Sequence, residues 1–199
     1  MANISVLVSG GGTNLQAIID KVQDGSLRNA EIVQVIASRE GVYALERAAN
    51  AGIKGKVVKD TDTLLKELKA EGTDIIVLAG YMKVLEPAVI EEYRRRIVNI
   101  HPSLIPKYCG KGMYGKRVHQ AVIDGGETVS GATVHFVDEG MDSGAIILQK
   151  SVPVLDDDTE DTLSARILEQ EHQAYWQAIQ LFAENKLVVE GRTVKIKGE

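Results

Sequence analysis

Short β-branched apolar runs alternate with helix-periodic stretches through residues 1–100, and this alternation restricts the fold more than any other feature of the chain. Residues 4–9 form a nearly continuous apolar run that is stopped by Gly10, Gly11 and Gly12. A strand covered on both faces of a parallel sheet reads in this way. From Asn14 onward, Leu15, Ile18, Ile19 and Val22 recur at helical spacing. The unit then repeats, with strand-like runs at 32–37, 56–58, 74–79 and 97–100 separated by helical stretches at 43–51, 61–70 and 87–93. Repetition of this kind specifies right-handed βαβ units. Gly52 and Gly72 stand where helices should end, and Pro87 suits a first helical position.

The rhythm changes after His101. A loop at 102–115, rich in glycine and proline, precedes a short helix at 116–124. Strands at 132–137 and 145–154 follow, joined by a connection short enough for antiparallel pairing. A long helix at 159–184 turns Leu163, Ile167, Ala174, Ile179 and Phe182 inward, and residues 187–196 read as a small hairpin. The expected architecture is α/β: an open twisted sheet, parallel in the N-terminal half and mixed in the C-terminal half, with helices on both faces. No repeat, low-complexity stretch or linker interrupts it. One domain over 1–199 is expected, with a nucleotide- or phosphate-binding half at about 1–100 and a catalytic half at about 101–199.

Composition removes several classes of function. A formal charge of −5 gives no broad basic field for nucleic acid. The single cysteine, Cys109, has no internal partner, and four scattered histidines without cysteine pairs suggest no metal site. No apolar run approaches the ~20 residues that span a bilayer. The N-terminus lacks the pattern of a secretion signal, so the expectation is a cytoplasmic protein with no membrane partner.

Two stretches can carry chemistry, and a third joins them. The turn Ser9-Gly10-Gly11-Gly12-Thr13-Asn14 lies between the first strand and first helix. Its glycines let backbone approach an anion, and free N–H groups with the helix dipole favour negative charge there. It has neither the dinucleotide glycine spacing nor the Gly-Lys-Ser/Thr of a triphosphate loop, so a monophosphate is expected. The same turn can also serve merely to pack the helix on the sheet. The run Asn99 to Pro106 sits at the carboxyl end of a strand, where open sheets form ligand crevices. Strand alternation sends Asn99 and His101 to one face, an amide and an imidazole suited to oxyanion stabilisation and proton exchange in acyl transfer. The third stretch is the acidic loop Asp138-Glu139-Gly140-Met141-Asp142. Beside His101, Asp142 would raise the imidazole above its usual value of about 6.5. His119 and His135 read as structural, Glu171 and His172 as a solvated helix face, and Lys107, Lys111, Lys116 and Arg117 as a basic patch that mainly serves solubility.

SGGGTNLQAII from Ser9, LAGYMKVL from Leu78, NIHPSLIP from Asn99, GATVHFVDEGMDSGAIILQ from Gly131 and EQEH ending at His172 together resemble the glycinamide ribonucleotide formyltransferases, a folate-dependent family with a Rossmann-like formyltransferase fold. The resemblance implies direct transfer of formyl from 10-formyltetrahydrofolate to the amine of phosphoribosylglycinamide, with the folate as co-substrate, no tightly bound cofactor and no metal. It implies a catalytic trio of Asn99, His101 and Asp142. The nucleotide would be bound by Gly11, Gly12, Thr13, Asn14 and Glu171. Folate would be bound by Met82, Lys83, Val84, Leu85 and Asn99, together with Asp138, Glu139, Gly140, Met141 and Asp142. Small molecules are the expected partners, and the chain is expected to be a monomer or weak homodimer. Two stretches depart from the family pattern. Lys59 or Thr61 stands where some members carry a folate-contacting arginine, and the loop 108–115 is longer than in some relatives. Rival readings are a formyltetrahydrofolate deformylase, a methionyl-tRNA formyltransferase, each expected to carry a further domain, and a non-catalytic phosphosugar-binding module.

Overall fold

A computed structural model of the chain describes residues 1–198 of the 199. β1 (Ala2–Val8), α1 (Thr13–Gln23), β2 (Ala30–Ala37), α2 (Tyr43–Asn50), β3 (Gly55–Val57), α3 (Thr61–Ala70), β4 (Ile75–Ala79), α4 (Pro87–Glu92) and β5 (Ile97–His101) form the alternating half. Then come α5 (Lys116–Asp124), β6 (Val129–Phe136), β7 (Ile146–Pro153), α6 (Glu160–Ala183), β8 (Leu187–Glu190) and β9 (Thr193–Ile196). All strands join one nine-stranded sheet in the order β3-β2-β1-β4-β5-β6-β7-β9-β8. Pairing is parallel from β3 through β5 and antiparallel from β5 through β7, the mixed sheet expected from the sequence.

Alternation along the strands feeds two apolar layers. Ile4, Val6 and Val8 of β1 pack with Leu15 and Ile18 of α1 and with Leu163, Ile167 and Ile179 of α6. Leu7 of β1, with Ile76 and Leu78 of β4, faces the other way onto Leu64 and Leu68 of α3 and Val89 of α4. Each such side chain stabilises the fold by roughly 1.5–3 kcal/mol through burial. Because β1 lies between β2 and β4, the chain reverses its direction of travel across the sheet there. Crevices open beyond the carboxyl ends of strands at such a reversal. The glycine turn after β1, the segment after β4 and His101 at the end of β5 all emerge on that edge.

The tail forms the expected hairpin, and it also extends the sheet, with β9 paired parallel to β7 at Ile146 and Thr193. Phe182 is only half-buried, packed at the margin of the larger core. The acidic cluster before α6 acts as a cap. The Thr159 side chain accepts from Thr162 N–H in a reciprocal capping box. Asp158 accepts two hydrogen bonds from the Arg166 guanidinium at 2.7 and 2.8 Å, and this pairing holds its carboxyl well below the usual range.

Helix α6 is also pinned from within. The buried Tyr175 hydroxyl lies 2.8 Å from the Leu78 carbonyl, near the end of β4, and 3.1 Å from that of Val98, near the start of β5. Tyr175→Phe removes this buried, shared donor and is expected to destabilise the protein by about 1–3 kcal/mol. Urea unfolding measures this as a lowered midpoint with unchanged slope, whereas an unchanged midpoint would contradict the role given to the hydroxyl.

Candidate active site

The turn after β1 has the conformation that an anion cradle requires. Gly12 caps α1 with φ 75°, in the left-handed region, and an added Cβ there would come within 2.7 Å of Ala44 Cβ. Gly10 and Gly11 face open space. No side chain caps the helix and no acidic residue occupies its first turn, so its leading N–H groups stay available. Two arginines border the turn: Arg39 Nε donates to Ser9 O at 3.0 Å and Arg47 Nε to Gly11 O at 2.8 Å. Arg47 also lies 4.9 Å above the exposed Tyr43 ring. Neither arginine was anticipated from the sequence. The available signal was parallel pairing of β1 and β2, which carries the loop after β2 to the side of the first turn.

Glu171 does not lie on a solvated face, contrary to the reading of its residue type. It is half-buried, and its carboxylate accepts from Asn14 Nδ2 at 2.7 Å across 157 residues of sequence. Burial pushes its pKa up to about 7 against the opposing effect of the Asn14 hydrogen bond. Asn14 Oδ1 is buried without a partner among the described residues, an acceptor beside the uncapped helix. The long helix thus brings Glu171 to the turn and, one helical turn later, Tyr175 to the carbonyls of Leu78 and Val98.

At the end of β5, Asn99 and His101 share a face while Val98 and Ile100 enter the larger core. Asp142 reaches them from the connection between β6 and β7, its Oδ2 3.7 Å from His101 Nδ1. That separation is too long for a direct hydrogen bond and suits charge contact or one intervening oxygen. His101 Nε2 lies 2.8 Å from the Tyr108 carbonyl, which accepts only, so this nitrogen carries a hydrogen and Nδ1 faces Asp142. Gly110 N–H donates to Asp142 Oδ2 at 2.9 Å. The loop at 102–115 therefore closes the cluster with its own backbone.

His135, read from the sequence as structural, belongs to this cluster. Antiparallel register pairs it with Asn99, and its Nε2 lies 3.3 Å from Asn99 Nδ2 and 3.7 Å from Asp142 Oδ1. Its Nδ1 donates to the Phe136 carbonyl at 2.8 Å, leaving Nε2 to accept from the Asn99 amide. Burial lowers the His135 pKa, which favours its neutral imidazole. A histidine within an apolar strand gives no sign of this, because only the pairing register brings it beside Asn99. His119 is buried on α5 as expected.

The remaining sequence candidates border this edge. Met82, Lys83 and Val84 are exposed, whereas Leu85 is buried in the smaller core. Met141 is exposed, and Asp138 closes the acidic loop by accepting from Gly140 N–H at 3.1 Å and Ser143 Oγ at 2.6 Å. Glu139 pairs with Arg94 at 2.5 Å. Lys59 pairs with Glu40, and Lys83 donates to the Lys59 carbonyl, which draws both toward the start of α3. The expected basic patch is largely neutralised, since Lys107 pairs with Glu127 and Lys116 with Glu160 and Asp161.

Glu171 makes stability depend on pH. Its folded pKa of about 7 lies above the ordinary 4.5, so the folded state holds the proton more tightly and this contribution to stability is lost as pH rises from 4.5 toward 7. Glu171→Gln removes that loss. Thermal unfolding of both proteins across this window should show the variant gaining steadily on the parent, and a difference independent of pH would contradict the buried carboxyl.

The formyl transferase family model matches residues 2–179. The chain is 39% identical over 208 aligned positions to the phosphoribosylglycinamide formyltransferase of Haemophilus influenzae, covering 100% of this chain and 95% of that protein. It is 43% identical over 196 positions to the trifunctional purine biosynthetic protein adenosine-3 of Drosophila melanogaster, covering 94% of this chain but only 14% of that much longer protein. The crystal structure of glycinamide ribonucleotide transformylase 1 from Symbiobacterium toebii superposes with a TM-score of 0.92 at 42% identity, covering 98% of this chain and 94% of the other. The chain belongs to the formyl transferase family.

Proposed function

We propose that this protein transfers the formyl group of 10-formyltetrahydrofolate to the amine of 5′-phosphoribosylglycinamide, yielding 5′-phosphoribosyl-N-formylglycinamide and tetrahydrofolate in purine biosynthesis. The observation that carries this reading is the convergence of Asn99, His101 and Asp142 on the sheet edge that also bears the uncapped glycine turn. The whole chain, 1–199, works as one unit, with the phosphate held mainly by the first half and the reacting groups supplied mainly by the second.

In this reading the nucleotide phosphate accepts from the N–H groups of Gly11, Gly12, Thr13 and Asn14, while Arg39 and Arg47 add positive charge beside it. Glu171 and the unpartnered Asn14 Oδ1 receive the amine or the ribose hydroxyls. Folate lies between Met82-Lys83-Val84-Leu85 and the loop from Asp138 to Asp142. The exposed Met82, Val84 and Met141 side chains offer apolar contact to its rings.

The amine lone pair attacks the formyl carbon, and the carbonyl electrons move to oxygen. One Asn99 amide hydrogen is taken by His135, which leaves the other for this oxyanion. Tyr108 occupies His101 Nε2, so Nδ1–H of the imidazolium meets the substrate, with Asp142 supporting its charge. Collapse of the tetrahedral intermediate breaks the bond from carbon to the folate N10, which receives the proton lost by the attacking amine. Both substrates are held together, so orientation supplies much of the rate.

The absorbance change on loss of formyl should require phosphoribosylglycinamide. Loss of formyl to water alone would favour a deformylase, and no change would favour a binding module. His101→Ala and Asp142→Ala should each slow transfer by about 10²–10⁴-fold while retaining nucleotide binding by calorimetry. Turnover equal to the parent in either variant would contradict the assignment.

A further inference from the structure

The backbone of the segment between β4 and α4 makes few polar contacts with the body of the protein. Among the described residues, a single hydrogen bond is made by the backbone of residues 80–85: Met82 N–H donates to Ser9 Oγ at 2.8 Å. Ser9 is the first residue of the glycine turn, is buried at 4% exposure, and lies 73 residues away in sequence. Its hydroxyl also meets Ser38 Oγ at 2.7 Å, and its carbonyl accepts from Arg39 Nε at 3.0 Å. Leu85 and the partly buried Tyr81 pack on the smaller core, whereas Met82 and Val84 are 61% and 78% exposed and Lys83 reaches outward to the Lys59 carbonyl.

We propose that Ser9 is a positioning residue for the folate site, its hydroxyl fixing the segment Met82 to Leu85 against the turn that holds the nucleotide. The inference rests on the functional reading above and deepens it. Ser9 touches neither substrate in this account. It acts through the Met82 amide, so that a single hydroxyl joins the frames of the two substrate sites. Ser38 makes a comparable buried contact to the same hydroxyl but none to the folate segment, which makes it the natural control.

Tetrahydrofolate is the probe, titrated by calorimetry into the parent, Ser9→Ala, Ser9→Cys and Ser38→Ala proteins, with phosphoribosylglycinamide titrated separately. Deleting a buried hydrogen bond of this kind should weaken tetrahydrofolate binding about five- to tenfold in Ser9→Ala, with a smaller loss in Ser9→Cys, whose thiol is the weaker acceptor. Nucleotide affinity should stay within about twofold in both, which also reports that the variants are folded, and Ser38→Ala should bind tetrahydrofolate like the parent. Steady-state assays should show the loss in the folate KM, with kcat retained at saturating folate. Equal tetrahydrofolate affinity in the parent and Ser9→Ala overturns the inference and leaves the functional reading standing, as does an equal loss in Ser38→Ala or a parallel loss for both ligands. A parent protein that does not bind tetrahydrofolate overturns the functional reading itself.

Discussion

Burial of the central strands on both faces governs where this protein can do chemistry. Every residue of β4, and all of β1 from Ile4 onward, is buried, so neither face of these two central strands offers a surface for ligand. What remains is the edge where strands end, and the reversal at β1 opens that edge between two loops that diverge to opposite sides. The glycine turn, the segment after β4 and the end of β5 meet there as a consequence of topology. Their residues are far apart in sequence, and no local feature of any one of them specifies the encounter.

Long-range hydrogen bonds made by two side chains, Asn14 and Tyr175, convert this meeting into a defined site. Asn14 to Glu171 joins the first helix to the last, and Tyr175 joins that last helix to the carbonyls of Leu78 and Val98. Val98 immediately precedes Asn99, so α6 bears on β5 as well as on the glycine turn. The cluster around Asp142 follows the same logic. Two imidazoles and a loop amide approach one carboxylate, and burial favours the neutral form of His135.

The parts of the fold that depend on local pattern were legible in the sequence. The helices at 61–70 and 116–124 have the bounds that periodicity and flanking glycines indicated, and Gly52 and Gly72 follow their helices in left-handed conformation. The start of β6 was not, because Ser130 and Gly131 read as turn residues until a neighbouring strand claims them. Docking of the tail hairpin was equally invisible, since it depends on the position of β7. Within the site, alternation sufficed to put Asn99 and His101 on one face. The contact of His135 with Asn99 and the burial of Glu171 were not legible from residue type, because one depends on strand register and the other on packing of α1 against α6. The family resemblance recovered Glu171 but not His135, Arg39 or Arg47.

The central claim is that the glycine turn holds the phosphate while Asn99 and His101 meet the folate at the reacting bond. A crystal structure of the protein with phosphoribosylglycinamide and tetrahydrofolate both bound tests it most directly. The account predicts the phosphate on the N–H groups at the start of α1, and the folate N10 beside Asn99 and His101 with the glycinamide nitrogen next to it. A phosphate bound elsewhere, or a folate whose N10 lies out of reach of His101, would contradict it.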